Sequence, residues 1–220
     1  MIDIHTHIIP GLDDGPETLS QSLELINILK NEGIDKIVAT PHFYPELFPE
    51  STIENRDKKL NELKSATDVD IFPGFEVMFD EGIPQLNKYT MNNTQYILVE
   101  FSRFSTIDGI FNAIKFIHSK GLHPIIAHIE RYTINEETIE ILRLRGASIQ
   151  MNADFIVNNF RKIKVLITKG LIDFVASDIH PFRELLIKKA YDRVKSLSDE
   201  IAERVFMINP QSILSKKTNY

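Results

Sequence analysis

The 220-residue chain has no cysteine. A thiolate nucleophile is therefore impossible, which excludes cysteine proteases and the cysteine-based tyrosine phosphatases; thiolate zinc sites and disulfides go with them. Nothing points to an oxidising compartment. Basic charge is scarce as well. Lys and Arg number 25 against 31 Asp and Glu, a formal net charge of −6, so no broad cationic surface is available for a nucleic-acid backbone. Apolar runs such as 96–99 and 124–127 fall far short of the roughly 20 residues a bilayer span needs. The opening Met1-Ile-Asp-Ile-His5 has no basic segment followed by an apolar stretch, so neither a cleaved signal peptide nor direct membrane insertion is expected. A cytoplasmic protein, a monomer or low-order oligomer, is the expectation. No glycine-rich phosphate loop follows the first apolar run, against a Rossmann or Walker-type site. No repeat, low-complexity stretch or linker interrupts the chain, so residues 1–220 are expected to form a single domain.

What is present reads as alternating strands and helices. Short β-branched runs at 2–7, 36–40, 71–75, 96–101, 124–128, 148–152 and 173–177 are separated by segments of helical period. Leu19, Leu23, Ile26 and Leu29 form one apolar face, opened by a capping box at Thr18 and Gln21 and closed by Gly33. Ile107, Ile110, Phe111, Ile114 and Ile117 form another, closed by Gly121. Further helices are expected at 137–145, 155–169 and 183–197. Repeated βα units imply a parallel sheet with right-handed crossovers, and about seven units in this length favour a distorted (β/α)₇ TIM-like barrel over an open sheet.

The ligand-type residues fall at one place in that pattern. His5 and His7 end the first strand, His42 follows the second and Glu76 the third. Glu100 ends the fourth strand, His128 the fifth, and Asp178 and His180 follow the seventh. The C-terminal strand ends of a (β/α) barrel converge on one face, so residues distant in sequence become neighbours. Spacing of i, i+2 on a strand points His5 and His7 to the same side. Glu76 and Glu100 end apolar strands, where a carboxylate needs a partner; that partner is either a metal or one of Arg131 and Arg183. Asp13-Asp14-Gly15-Pro16 reads by itself as a turn with helix-capping acids. His118 and His123 are expected to be structural. Five histidines and four carboxylates, Asp14 included, exceed the needs of one ion and suggest two or three. Mixed imidazole and carboxylate ligation suits Mn²⁺, Zn²⁺ or Fe²⁺.

These residues carry a resemblance. Met1-Ile-Asp-Ile-His-Thr-His7, Asp13-Asp-Gly-Pro16, Ala39-Thr-Pro-His42, Gly74-Phe-Glu76, Val99-Glu-Phe-Ser102, Ile126-Ala-His-Ile-Glu-Arg-Tyr132 and Ala176-Ser-Asp-Ile-His180 run in order over roughly 180 residues. The chain resembles the polymerase-and-histidinol-phosphatase (PHP) superfamily, and within it the manganese-dependent tyrosine-protein phosphatases of bacterial capsule and exopolysaccharide loci, the CpsB or CapC family. The resemblance implies a PHP-type barrel holding three Mn²⁺ ions. It implies that His5, His7, Glu76 and Asp178 bind one ion, with Glu76 bridging to a second completed by Glu100 and His128. Asp14, His42 and His180 would hold the third. Arg131 and Arg183 look like the family's phosphate-binding arginines, although Pro181-Phe182-Arg183 brings the second one sooner than the longer, glycine-containing loop typical of the family. The implied substrate is a phosphotyrosine-bearing bacterial tyrosine kinase that controls polysaccharide export. The segment from Phe43 to Glu50 is either a packed surface loop or an entrance at which Phe43, Tyr44 and Phe48 meet the substrate ring. Rival expectations are a histidinol-phosphate or other small-molecule phosphomonoesterase on the same site, and a non-catalytic kinase-binding module.

Overall fold

The computed structural model describes residues 1–132 and 135–215. Among them are nine short strands: β1 (Ile2–Thr6), β2 (Lys36–Ala39), β3 (His42–Phe43), β4 (Asp70–Pro73), β5 (Glu76–Met78), β6 (Tyr96–Glu100), β7 (His123–Ile126), β8 (Ser148–Asn152) and β9 (Phe174–Ala176). Every pairing is parallel, in the orders β1-β2-β4 and β3-β5-β6-β7-β8-β9. β2 and β3 are halves of one strand broken at Pro41, which has no N–H for the ladder. β4 and β5 are likewise halves of one strand, broken at Gly74 and Phe75. A Cβ at Gly74 would lie 3.0 Å from the side chains of both Thr40 and Val38, so glycine eases the close approach of the two kinked strands. Counting each broken strand once leaves seven staves. The ring closes between β9 and β1, where Asp178 N–H donates to the His5 carbonyl (2.9 Å), His7 N–H donates to the Ile179 carbonyl (3.1 Å) and Thr6 bridges Ile179. The distorted (β/α)₇ barrel expected from the pattern is the architecture observed.

Strand alternation sorts the apolar residues into two cores. Ile37, Val77, Ile97, Val99, Ile149, Met151 and Val175 face the helices. Ile4, Val38, Leu98, Ile125, Phe174 and Ala176 fill the barrel interior, closed at the bottom by Met91 and by Ile213 from the last helix. β1 departs from strict alternation. Asp3 is opposite Ile37, yet Thr6 is opposite Ala39, so one extra residue lies between. That bulge allows Ile4 to fill the interior below while His5 and His7 both turn inward above it; bulges commonly re-aim side chains beside functional sites.

The helices are α1 (Leu19–Asn31), α2 (Ile53–Ser65), α3 (Ile107–Ser119), α4 (Glu136–Leu144), α5 (Ala153–Thr168), α6 (Ile187–Lys195), α7 (Asp199–Glu203) and α8 (Asn209–Leu214). The Thr18–Gln21 capping box forms as expected, and Gly33 follows the α1 cap with φ +86°. One helix starts later than its apolar pattern suggests. Residues 183–186 stay outside α6 because the Arg183 guanidinium is drawn back to Asp178 and Asp154. No helix among the described residues is long and apolar enough to cross a membrane.

Phe75, fully buried at the β4/β5 break, packs edge-on against Phe43 and Tyr89 and beneath the Arg56 guanidinium at 4.5 Å. Truncating it leaves a cavity next to Glu76. Phe75→Ala is expected to cost about 3–5 kcal/mol in a urea melt, with a lowered midpoint and an unchanged slope.

Candidate metal centre

The seven staves deliver the expected residues to one end of the barrel. His5, His7, Glu76 and His128 are fully buried and Asp178 nearly so, while His42, Glu100 and His180 line the opening. Glu76 lies at the centre. Its Oε2 is 3.2 Å from Nε2 of both His5 and His7 and 3.1 Å from His42 Nδ1; its Oε1 is 2.7 Å from His128 Nε2. Asp178 Oδ1 stands 3.5 Å from Nε2 of both His5 and His7. Glu100 reaches His128 Nε2 at 3.3 Å and His42 Nδ1 at 3.8 Å. At the mouth, Asp14 Oδ1 lies 3.2 Å from His180 Nε2 and 3.6 Å from His42 Nε2. All nine sequence-expected residues are thus brought together. Three overlapping groups have ligand atoms close enough to share an ion: His5, His7 and Glu76; His42, Glu76 and Glu100; and His7, Asp14, His42 and His180.

The protonation pattern suits cations. His7 Nδ1 donates to Asp13 Oδ2 at 2.7 Å, and His180 Nδ1 donates to the Asp178 carbonyl at 2.9 Å. Each therefore turns its Nε2 lone pair to the cluster, as a metal-binding imidazole does. The Nε2 atoms of His5 and His7 lie only 3.2 Å apart, and Glu76 Oε2 is buried with no hydrogen-bond donor. Such an all-acceptor cluster requires positive charge at its centre. The donor set, imidazole nitrogen and carboxylate oxygen only, fits divalent transition ions.

The titration behaviour agrees. Burial opposes ionisation of Glu76, but the His5 and His42 rings outweigh it and hold its pKa well below the usual carboxylate range. Burial likewise opposes a charge on His7, yet Asp13 and Glu76 raise its pKa well above normal, so without an ion the ring takes up an Nε2 proton that a bound cation would displace. Glu100 is pushed up to about 7 by burial and by the Glu76 charge, against the pull of Arg131. Asp14, hydrogen-bonded to His180, is lowered to about 2.

Backbone strain marks the same residues. His128 has φ +32° and Asp178 φ +51°, left-handed values that cost about 1–3 kcal/mol each for such side chains. Each stands two residues past the end of its strand, β7 and β9 respectively, where the chain turns sharply so that the side chain points inward.

Two arginines border the carboxylates. Arg131 donates to Glu100 Oε1 (3.2 Å) and to Asp178 Oδ2 (2.7 Å). Its neighbours pin it: the Glu130 carboxylate accepts from Asn152 N–H, and the Tyr132 hydroxyl oxygen accepts from Phe101 N–H. Arg183 donates to the Asp178 carbonyl and carboxylate (2.8 and 2.9 Å) and to Asp154 (3.0 Å). The short Pro181-Phe182 connection reaches this far because Phe182 adopts φ +66°. The side chains of both arginines remain partly exposed, 29% and 28%, so each can still meet a ligand from solvent.

Some expectations were off or incomplete. Phe43 does not line the entrance: its ring packs 4.0 Å from Tyr89 on the helix-facing side, because β3 alternation sends it opposite to His42. Phe48 does reach the site, stacked on His42 at 5.4 Å and nearly parallel to it. His118 and His123 lie outside all three ligand groups; His123 contacts Ser148 Oγ at 2.8 Å. Asp13, by spacing a turn residue, is a support of the site. It is buried and accepts from His7 Nδ1, His42 N–H (2.8 Å) and Gly15 N–H (3.0 Å), tying three segments together. Its signal is two adjacent acids ahead of a helix that Thr18 already caps. Asp13→Ala is expected to weaken metal affinity roughly 10–100-fold, the usual cost of losing such a support, as read by competition with a chromogenic chelator.

Residues 1–215 match the family described as capsular polysaccharide synthesis, CpsB/CapC. The chain belongs to that family. It is 31% identical over 241 residues to the tyrosine-protein phosphatase CpsB of Streptococcus agalactiae, covering 97% of this chain and 98% of that one. It is 32% identical over 198 residues to the tyrosine-protein phosphatase YwqE of Bacillus subtilis, covering 82% of this chain and 77% of YwqE. Among solved structures, it superposes on a chain from the crystal structures of B. subtilis YwqE and Streptococcus pneumoniae CpsB, described as metal-dependent tyrosine phosphatases. That match has a TM-score of 0.84 at 28% identity and covers 97% of this chain and 94% of that chain.

Proposed function

We propose that this CpsB/CapC-family chain is a metal-dependent protein-tyrosine phosphatase. Its substrate is a phosphotyrosine-bearing bacterial tyrosine kinase of a capsule or exopolysaccharide system, and it works in the cytoplasm with Mn²⁺. The observation that carries the reading is the convergence of histidines and carboxylates around Glu76 with two partly exposed guanidiniums at the rim. Membership in a family whose relatives are named tyrosine-protein phosphatases supports it.

His5, His7, Glu76 and Asp178 would hold one ion, Glu76, Glu100 and His128 a second, and Asp14, His42 and His180 a third. Bound ions supply Lewis acidity and bring the pKa of water toward neutrality, which provides a nucleophile at physiological pH. Arg131 and Arg183 bind the non-bridging phosphoryl oxygens, which a guanidinium fork matches in shape, and offset charge that builds there in the transition state. Asp178 and Glu100 hold those guanidiniums in place through the ion pairs described above. A tyrosine phenolate, with pKa about 10, departs far more readily than a serine alkoxide, so no strong side-chain acid is needed at the mouth.

The test is hydrolysis of a phosphotyrosyl peptide beside histidinol phosphate. Chelator-stripped protein is expected to be inactive, and Mn²⁺ should restore turnover with kcat/KM higher on the peptide. Preference for histidinol phosphate would assign the site to small-molecule phosphomonoesters. Kinase binding without turnover on either would leave the non-catalytic module.

A further inference from the structure

The upper interior of the barrel holds two buried amides that none of the roles above uses. Gln150 and Asn152 alternate on β8 with Ile149 and Met151, which face the helices, so both amides point inward. The other staves fill their inward positions just below with Leu98 and Ile125. A leucine at 150 would extend that apolar layer; a buried amide there must instead have every group paired.

The pairing has a fixed direction. The His128 backbone N–H, which can only donate, lies 2.6 Å from Gln150 Oε1 and so settles which end of the amide is oxygen. Gln150 Nε2 then donates to Asn152 Oδ1 at 2.7 Å. Asn152 Nδ2 in turn donates to Asp178 Oδ2 at 2.8 Å, where a carboxylate can only accept. The same Gln150 Oε1 lies 3.3 Å from His5 Nδ1. Because that oxygen is an acceptor, His5 carries its proton on Nδ1 and turns the Nε2 lone pair toward Glu76 and Asp178.

A second, separate feature agrees. Asn152 occupies the N-cap position of α5, where an asparagine side chain ordinarily accepts from the first helical turn. Here it makes no cap, because the side chain is diverted to Asp178.

We propose that Gln150 and Asn152 are positioning residues forming a one-way amide relay that fixes the tautomer of His5 and the orientation of Asp178. Two ligands from opposite sides of the barrel seam, together with the strained backbone turn at His128, are thereby held by one strand. The inference rests on the metal-centre reading, and its test uses metal binding and ring chemistry rather than turnover.

The experiment loads full-length protein with Zn²⁺, which is diamagnetic, and records long-range ¹H–¹⁵N correlations of the histidine rings together with Zn²⁺ affinity by chelator competition. Wild type should show His5 protonated at Nδ1 and bound through Nε2. Gln150→Leu should lose that signature and bind Zn²⁺ roughly 10–100-fold more weakly. Gln150→Glu keeps the acceptor but loses the donor, so it should retain the His5 signature. Asn152→Ala should weaken binding with the His5 signature unchanged, and it serves as the informative variant if Gln150→Leu does not fold. Wild-type affinity in Asn152→Ala, or an unaltered His5 ring and affinity in Gln150→Leu, overturns the relay while leaving the metal centre standing. A wild-type chain that binds no Zn²⁺ overturns both.

Discussion

Glu76→Gln is expected to abolish both metal loading and phosphotyrosine hydrolysis. The two oxygens of this carboxylate lie within 3.2 Å of four imidazole nitrogens, from His5, His7, His42 and His128. The amide keeps the shape and removes the charge. Four buried or half-buried rings would then face one another with a single neighbouring carboxylate less, and ions shared through Glu76 would lose their common ligand. The loss of affinity should exceed the roughly 10–100-fold seen for outer supports such as Asp13, and activity should fall to the detection limit. Calorimetric titration with Mn²⁺ beside a turnover assay reads both. Near-normal Mn²⁺ binding by Glu76→Gln would show that the centre is not organised around this residue.

Arg131→Ala should separate binding of metal from catalysis. The guanidinium is proposed to bind phosphoryl oxygens and supplies no metal-ligating atom, so metal content is expected to be unchanged. Turnover should drop about 10²–10³-fold, the range found on removing one preorganised charge-stabilising donor. Arg183→Ala should lose less, because Asp154 shares that guanidinium. If Arg131→Ala lost metal in step with activity, its contacts with Glu100 and Asp178 would be holding the ligands rather than binding substrate.

Much of this arrangement was readable from residue order. Strand-end placement alone gathers His5, His7, His42, Glu76, Glu100, His128, Asp178 and His180, because barrel topology converts that placement into proximity. Asp14 is different in kind: in isolation its spacing suggested a cap, and only family resemblance pointed to the site. What stayed hidden depends on backbone detail. The β1 bulge that turns His5 inward leaves no mark on an alternating Ile-Asp-Ile-His-Thr-His run. The second and third staves are expected to end at 40 and 75, so their short continuations β3 and β5, beyond the breaks at Pro41 and at Gly74 and Phe75, are not visible in the pattern. Gln150 and Asn152 did leave a signal, polar residues at i, i+2 on a strand whose alternate positions are apolar, but one strand cannot say which face is the interior. Beyond residue 197 a π-helical segment, Arg204–Ile208, joins α7 to α8 and breaks the 3.6-residue period, and Ile213 plugs the barrel from α8.

The most direct measurement is anomalous diffraction at the manganese edge from crystals grown with Mn²⁺. Peaks are expected among His5, His7, Glu76 and Asp178, beside Glu100 and His128, and at Asp14, His42 and His180, with Arg131 and Arg183 at the rim of the same cavity. Peaks confined to surface carboxylates, with the cluster around Glu76 bearing none at saturating Mn²⁺, would contradict the metal centre on which the proposed activity depends.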